Sequence, residues 1–387
     1  MGNGLFTTLL TVRMHIEGSG ALTIGIMTCA YYIGLVCASF RIERLIMRIG
    51  HIRAFAAFAS ALTVITLSHG VFVNAWFWIL LRLATGVTLA GLYIVIESWL
   101  LVVGTTKTRG TIVGFYMMTF YGAQALGQFL INLGEPTSLL LFTIVAMLTA
   151  LAIIPLTTTK VGTPQFGEPH ILGIKKLFKK SASGVIGCFT GGLILSVIYG
   201  LLPLYISLNS QEVSEVALYM ALTIFGGMAL QYPIGKLSDF IDRRIVLTII
   251  AILTALVSVL LILSLDTFWL RALFSFLFGG LTFTVHPVSL SHACDNLETH
   301  EIISGTQGLV LAYGLGAAVG PLIAPVFMQT LGPNGFFVYF IFVGITLASF
   351  FALRSIFVSR ESPDESFVAA PQTTPITAEL DPRGEES

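Results

Sequence analysis

Residues 157-TTTKVGTPQFGEPHILGIKKLFKKSAS-183 are the only long polar interruption between the apolar runs of an otherwise oily chain. The stretch carries Pro164, Pro169 and four lysines, Lys175, Lys176, Lys179 and Lys180. Prolines and clustered ammonium groups have no place in hydrocarbon, so the segment reads as a surface linker. About five and a half apolar runs precede it and six follow. It therefore reads as a hinge between two similar membrane bundles.

Composition supports that frame. The chain has 387 residues, 55% hydrophobic and 10% charged, with mean hydropathy +0.90. Soluble domains average about 25% charged residues, which excludes a soluble globule. Lys plus Arg (20) equals Asp plus Glu (20), so net charge indicates no nucleic-acid partner. Cys29, Cys37, Cys188 and Cys294 lie in or at the ends of apolar runs and form no CxxC pair, so they read as small packing residues.

Working outward from the linker, runs of about 20 residues, enough to cross a bilayer as helices, cover 22–40, 52–73, 76–103, 111–133 and 139–156. After it come 185–208, 216–234, 245–265, 268–293, 302–328 and 336–357. The tail from 359 is rich in Pro, Thr and acids without apolar periodicity and reads as disordered. Lys and Arg concentrate in alternate connections: Arg41, Arg44, Arg48 and Arg53; Lys107 and Arg109; Lys160 and the linker lysines; Lys236, Arg243 and Arg244. Arg13 and Arg271 are the exceptions on the other side. This bias places the linker and C-terminus in the cytoplasm. The acidic connection with Asp295, Glu298 and Glu301 falls on the same side by parity.

A shift of 192 to 193 residues superposes the halves. It brings Gly34 onto Gly226, Gly86 onto Gly279, Gly127 onto Gly320 and the basic turn near Arg48 onto that near Arg243. Parallel duplication of a six-helix unit places a substrate site between the halves. The same shift lands Met1 near Leu193, well inside the seventh run, so the first helix should be incomplete. About 12 residues reach only about 18 Å, short of about 30 Å of hydrocarbon. Either a start lies upstream and the chain is truncated, or the protein inserts with a defective first helix.

Arg82 and Glu97 lie within one run, where charge must face protein or water. Arg82, Gly86, Tyr93 and Glu97 fall within about 60° on a helical wheel, one polar stripe. The stripe reads either as a cavity wall used in substrate or proton coupling, or as a structural network, with Arg82 snorkelling outward and Glu97 reaching the basic turns. His286 sits at mid-depth beside Pro287. It is either a proton-linked group or a neutral histidine bonded to a carbonyl freed by the proline. Tyr121, Gln124 and Gln128 share one face, and Tyr199, Gln307 and Tyr313 add further polar positions; Tyr31, Tyr32, Gln231 and Tyr232 extend the pattern. Collectively they suggest a polar, mostly uncharged cavity. His292, Cys294, Asp295 and His300 lack any standard ligand spacing, so no metal is expected. No phosphate-binding loop, zinc-protease or hydrolase motif occurs, so neither an enzyme nor a cofactor is indicated.

The basic turns carry a specific resemblance. Gly235-Lys-Leu-Ser-Asp239-Phe-Ile-Asp-Arg243-Arg244 resembles the G-x-x-x-D-R-x-G-R-R/K signature of the major facilitator superfamily, with Asp242 where that family has Gly. The earlier copy keeps Arg48, Gly50 and Arg53 but has Met47 in place of the Asp. Arg82-Leu-Ala-Thr-Gly86 resembles the R-x-x-x-G motif of the fourth helix, and Gly316-Ala-Ala-Val-Gly320-Pro321 a G-x-x-x-G-P motif, displaced to the eleventh. Glu97-Ser98, the 104–110 loop, Tyr199 to Tyr205 and His286-Pro287 are similar to the YcaD-like bacterial branch.

The resemblance implies an all-α integral membrane fold: two six-helix bundles related by a pseudo-twofold along the membrane normal, with helix 1 incomplete here. The domains are then 1–156, a cytoplasmic linker 157–183, 184–358, and a disordered tail 359–387. It further implies a monomeric secondary transporter of the inner membrane, moving a small organic solute by alternating access with protons as driver. Arg82, Tyr93, Glu97, Tyr121, Gln124, Gln128, Tyr199, His286, Gln307 and Tyr313 are its candidate cavity residues. Arg48, Gly50, Arg53, Gly235, Asp239, Arg243 and Arg244 are its cytoplasmic gate. The alternatives are a non-transporting receptor or scaffold on the same fold, or an inactive truncated transporter.

Overall fold

The computed structural model describes residues 1–39, 41–103, 108–158, 173–210, 212–264, 267–357, 367–368, 373–381 and 383. Lys107, Lys160, Pro164 and Pro169 lie outside the described residues. The first half comprises α1 (Gly2–Ile16), α2 (Ala21–Ser39), the short α3 (Ile42–Ile49), α4 (His51–Val71), α5 (Ala75–Val103), α6 (Arg109–Gln128), α7 (Leu139–Leu151) and α8 (Ile153–Thr158). After α9 (Ile174–Lys180), the second half has α10 (Ala182–Asn209), α11 (Val213–Leu237), α12 (Arg243–Leu263), α13 (Phe268–Thr282), α14 (Val285–Cys294), α15 (Thr299–Leu331) and α16 (Gly335–Phe357).

Among the described residues, ten helical segments are long and apolar enough to cross a membrane. Two more complete the six-plus-six arrangement: α1, which is short, and α6, which carries more polar residues. Helices suit this environment because their backbone groups are satisfied internally. Buried hydroxyls follow the same economy, bonding back to the preceding turn: Thr28 to the Ile24 carbonyl (3.0 Å), Thr254 to Ile250 (2.8 Å) and Ser258 to Thr254 (2.7 Å). Large apolar side chains such as Leu80, Leu263 and Ile356 face outward, as a lipid-contacting surface requires.

The duplication extends to individual atoms of contact. A Cβ added at Gly34 would collide with the Leu83 carbonyl oxygen, and one at Gly226 with that of Phe276. A Cβ at Gly86 would strike the Tyr31 oxygen, and one at Gly279 that of Thr223. Gly127 and Gly320 stand likewise against Met1 and Leu193. Each partner pair is separated by the same 192 or 193 residues as its glycines. Glycine is required because helix backbones touch here with no room for a side chain. Trp76 and Trp269, also 193 apart, are both exposed at the start of their helices, α5 and α13, where an interfacial aromatic belt is expected.

Several boundaries differ from expectation for local reasons. The run 268–293 is broken at Phe283 and Thr284 into α13 and α14. Pro287 lacks an N–H and crowds the carbonyl four residues earlier, so α13 cannot continue straight through. The run 139–156 divides at Ala152 into α7 and α8. The run 111–133 is α-helical only to Gln128 and closes as a 3-10 turn, Phe129–Leu133. The C-terminal segment, expected to lack order, contains a 3-10 turn at Pro375–Leu380 packed on α5, α6 and α15. Composition concealed it because its buried apolar side chains, Pro375, Ile376 and Ala378, are few and many of its anchors are polar.

The charge pattern closes locally. We term the side bearing the α2–α4 and α11–α12 turns the basic face. Lys176 and Lys180 of α9 both pair with Glu301, and Arg243 pairs with Asp295 at 3.2 Å. The acidic connection thus pairs with the α9 lysines and with the second basic turn. On the far face the two exceptional arginines each have an acid: Arg13 with Glu17 at 2.7 Å, and Arg271 with Glu215 at 3.1 Å.

Candidate functional site

A cavity of about 980 Å³, counting its open mouth, lies between the halves. From the first half it is lined by α1, α2, α5 and α6, and from the second by α10 and α15. On the far face the halves meet directly. The Thr11 hydroxyl of α1 donates to the Gly200 carbonyl of α10 at 3.0 Å. Gly25 of α2 lies against the backbone of Pro321 on α15. On the basic face the tail contributes Thr373 and Pro375 to the lining.

Six sequence-predicted residues line this cavity: Arg82, Tyr93, Tyr121, Gln124, Tyr199 and Tyr313. Arg82 is only 1% exposed, so it does not snorkel outward. Its guanidinium carbon sits 4.5 Å from the centroid of the Tyr31 ring and 5.8 Å from that of Phe6. Among the described residues Nε and Nη1 have no hydrogen-bond partner and no carboxylate pairs with the group. A buried guanidinium held only by ring faces retains unused donors. The Tyr199 hydroxyl is likewise without a partner.

Four candidates stand away from the wall. Gln128 ties α6 to α1, donating to the Gly4 carbonyl (3.2 Å) and accepting from the Thr8 hydroxyl (2.6 Å). His286 is fully buried behind Tyr313, ring centroids 4.8 Å apart, and neither ring nitrogen has a hydrogen-bond partner. The bond to a freed carbonyl considered from sequence is thus not made. Gln307 is buried with Oε1 unsatisfied. Glu97 is fully buried and accepts from the hydroxyls of Tyr116 (3.3 Å), Thr373 and Thr374, not from the basic turns. Arg82 and Glu97 remain separate ends of one stripe.

Sequence reasoning missed Asn3 and Thr7 on α1, Thr28, Tyr116 and the tail threonine. The aromatic enrichment of α6 was the available signal for Tyr116, which precedes Tyr121 by five residues on the basic-face side. Nothing in the local pattern marked Thr373.

The basic turns differ from one another. In the second, Arg243 is fully buried between Asp239 (3.3 Å) and Asp295 (3.2 Å). Arg244 grips Asp242 through Nε (3.1 Å) and Nη2 (2.9 Å). Burial alone would raise the Asp242 carboxyl, but these bonds overcome it and hold it below its ordinary value. Gly235 carries the ring of Phe367 against its α-carbon. In the first turn, Arg48 and Arg53 are exposed and unpaired among the described residues. Gly50 adopts φ +87 between α3 and α4, a left-handed geometry suited to glycine.

Two six-helix halves facing each other across a closed-ended aromatic cavity define a membrane transporter. The chain belongs to the major facilitator superfamily, whose model matches residues 1–310 and 209–380. The uncharacterized MFS-type transporter YcaD of Escherichia coli is 28% identical over 336 residues, covering 86% of this chain and 87% of that one. Among solved structures, a mutant of the nucleoside transporter NupG superposes with TM-score 0.78 at 14% identity, covering 91% of this chain and 96% of that one. A bacterial homolog of the human lysosomal transporter Spinster, inward-facing and occupied, gives TM-score 0.72 at 15% identity, covering 94% and 96%.

Proposed function

We propose that this protein is a secondary active transporter that carries a small organic monoanion with an aromatic or apolar body, by alternating access. The observation that carries the substrate class is Arg82. One buried cation with unused donors stands in a cavity walled by Tyr31, Tyr32, Tyr93, Tyr121 and Tyr199. A carboxylate would accept from Nε and Nη1 in the fork geometry that guanidinium favours, and the rings would bury the remainder. Among the described residues no second cation lines the cavity, which disfavours dianions and phosphates.

Protons are the proposed driver. Glu97 is a buried carboxylate whose partners are all hydroxyls, with no cationic partner among the described residues. Such a group can take up and release a proton as the surrounding helices open and close. The inner membrane is the proposed location, with the linker, the basic turns and the C-terminus in the cytoplasm, from the Lys and Arg bias. Contact of the halves on the far face then corresponds to an inward-open conformation. The proposed units are 1–156 and 184–358, joined by 157–183, with Arg48, Gly50, Arg53, Gly235, Asp239, Arg243 and Arg244 as the cytoplasmic gate of a monomer.

Reconstituted protein, assayed for uptake of benzoate-like acids and their amides with and without a pH gradient, tests this reading. The acids should accumulate under the gradient and the amides should not. Arg82→Gln should weaken half-saturation at least ~30-fold, the lower end of about 2–5 kcal/mol for a buried charge pair losing one member. Equal uptake of amides, or an unaffected Arg82→Gln, overturns the anion assignment. No gradient-driven flux in either class favours a non-transporting receptor.

A further inference from the structure

Described residues of the chain's own tail lie at the basic-face side of the cavity. Thr373 and Thr374 present successive hydroxyls to the two carboxylate oxygens of Glu97 on α5. Thr373 and Pro375 reach the cavity itself. Ile376 and Ala378 are buried, and the 3-10 turn rests on α5 and α6 of the first half and α15 of the second. Upstream, the Phe367 backbone N–H donates to Asp239 Oδ1 at 2.7 Å, while its ring covers Gly235. Downstream, Arg383 forms a fork with Asp381 (2.8 and 2.6 Å) and donates to the Ser291 hydroxyl on α14 at 3.1 Å. The segment therefore contacts both halves.

We propose that Phe367, residues 373–381 and Arg383 form an intramolecular plug that occupies the cavity mouth and holds the halves apart on the basic face. Closure on that face requires the segment to leave, because its anchors lie on opposite halves. The docked tail also engages Glu97 and the Asp239 turn at once. Tethering keeps it at high effective concentration, so a few hydrogen bonds and two small apolar side chains suffice to hold it. Few buried contacts also mean that it is readily displaced, as a regulatory element must be. The proposal does not depend on what the cavity carries.

The test uses the full chain with Cys37→Ser and a reporter at the cavity wall, Ser39→Cys, labelled by a soluble maleimide from the basic face. Thr373→Val with Thr374→Val removes both hydroxyl donors while keeping side-chain shape. It should raise the labelling rate at least about tenfold, since two hydrogen bonds to a carboxylate are lost. Thr373→Ser with Thr374→Ser should label like the parent. A synthetic peptide of residues 367–383, added to the valine variant, should restore protection. Unchanged labelling in the valine variant overturns the plug. So does accelerated labelling that the peptide fails to reverse, which would indicate general loosening of the helices.

Discussion

Gly86→Ala puts the duplicated seam to the test. A Cβ there would fall inside 3.0 Å of the Tyr31 carbonyl oxygen and 2.8 Å from the Leu35 nitrogen, where ordinary contact is 3.4–4 Å. Both atoms are backbone, so no side chain can swing aside, and α2 and α5 must part by ~1 Å. Overpacking of this kind costs about 1–3 kcal/mol. Alanine also gains about 1 kcal/mol of helix propensity over glycine, which partly offsets the clash. Gly114→Ala on α6 provides the control, since a Cβ there meets nothing within 4 Å. The difference between the two variants isolates the packing cost, about 1–3 kcal/mol, or a few degrees in the melting of a unit this size. Gly279→Ala should lose as much, because its Cβ strikes Thr223 in the equivalent place, and the double variant should show the sum. Only Gly86→Ala should disturb the cavity, since Tyr31 lines it and Thr223 does not. Thermal unfolding in detergent measures all four. If Gly86→Ala melts with Gly114→Ala, the close backbone approach is wrong. If Gly86 is sensitive and Gly279 is not, the duplication does not govern packing.

Two further outcomes follow from charges on the basic face. Asp239→Asn removes one counter-ion of Arg243 but leaves Asp295 at 3.2 Å, so folding should persist while the transport cycle slows; an unaltered turnover number in reconstituted vesicles counts against the gate. Tail docking should depend on pH. Burial and the neighbouring Glu43 of α3 push the Glu379 carboxyl up to about 7, against the opposing pull of Arg109 of α6, and burial also raises Glu43 itself. A group raised in the docked state stabilises docking fully below its free value and loses that contribution as pH rises through about 7. Maleimide labelling of the Ser39→Cys reporter, divided at each pH by the rate for a free thiol because the thiolate is the reacting form, should therefore accelerate from pH 6 to pH 8, and Glu379→Gln should flatten that corrected profile. A parent profile that is already flat would dissociate Glu379 from docking.

The helices and their pairing were legible because hydrocarbon leaves a chain few options. Runs of apolar residues must be helices, and glycines 192 or 193 apart must mark the same contacts. The same logic found Arg82, since a charge in such a run must face the interior. It could not find the partners. Arg82 and Glu97 share a stripe, yet one meets the rings of Tyr31 and Phe6 and the other meets hydroxyls from residues more than 270 positions away. Periodicity describes one helix at a time, whereas those contacts depend on how helices from both halves converge. Gln128 shows the same limit: its face pointed inward, but α1 arrived to satisfy it before any ligand could.

The unequal basic turns and the tail belong to one account. At the second turn Arg243 pairs with Asp239 and Asp295, and the Asp239 Oδ1 that accepts from Arg243 also accepts from the Phe367 amide. In the first, Met47 stands where the acid would be, and Arg48 and Arg53 are exposed, with no carboxylate partner among the described residues. A tail that needs acceptors on both halves therefore cannot take the symmetric pair of turns. It uses Asp239 on one side and must go deeper on the other, to Glu97 inside the cavity mouth. Occupancy of the mouth is thereby joined to Glu97, the one acid of the α5 stripe, through Thr373, which both lines the cavity and donates to that carboxylate.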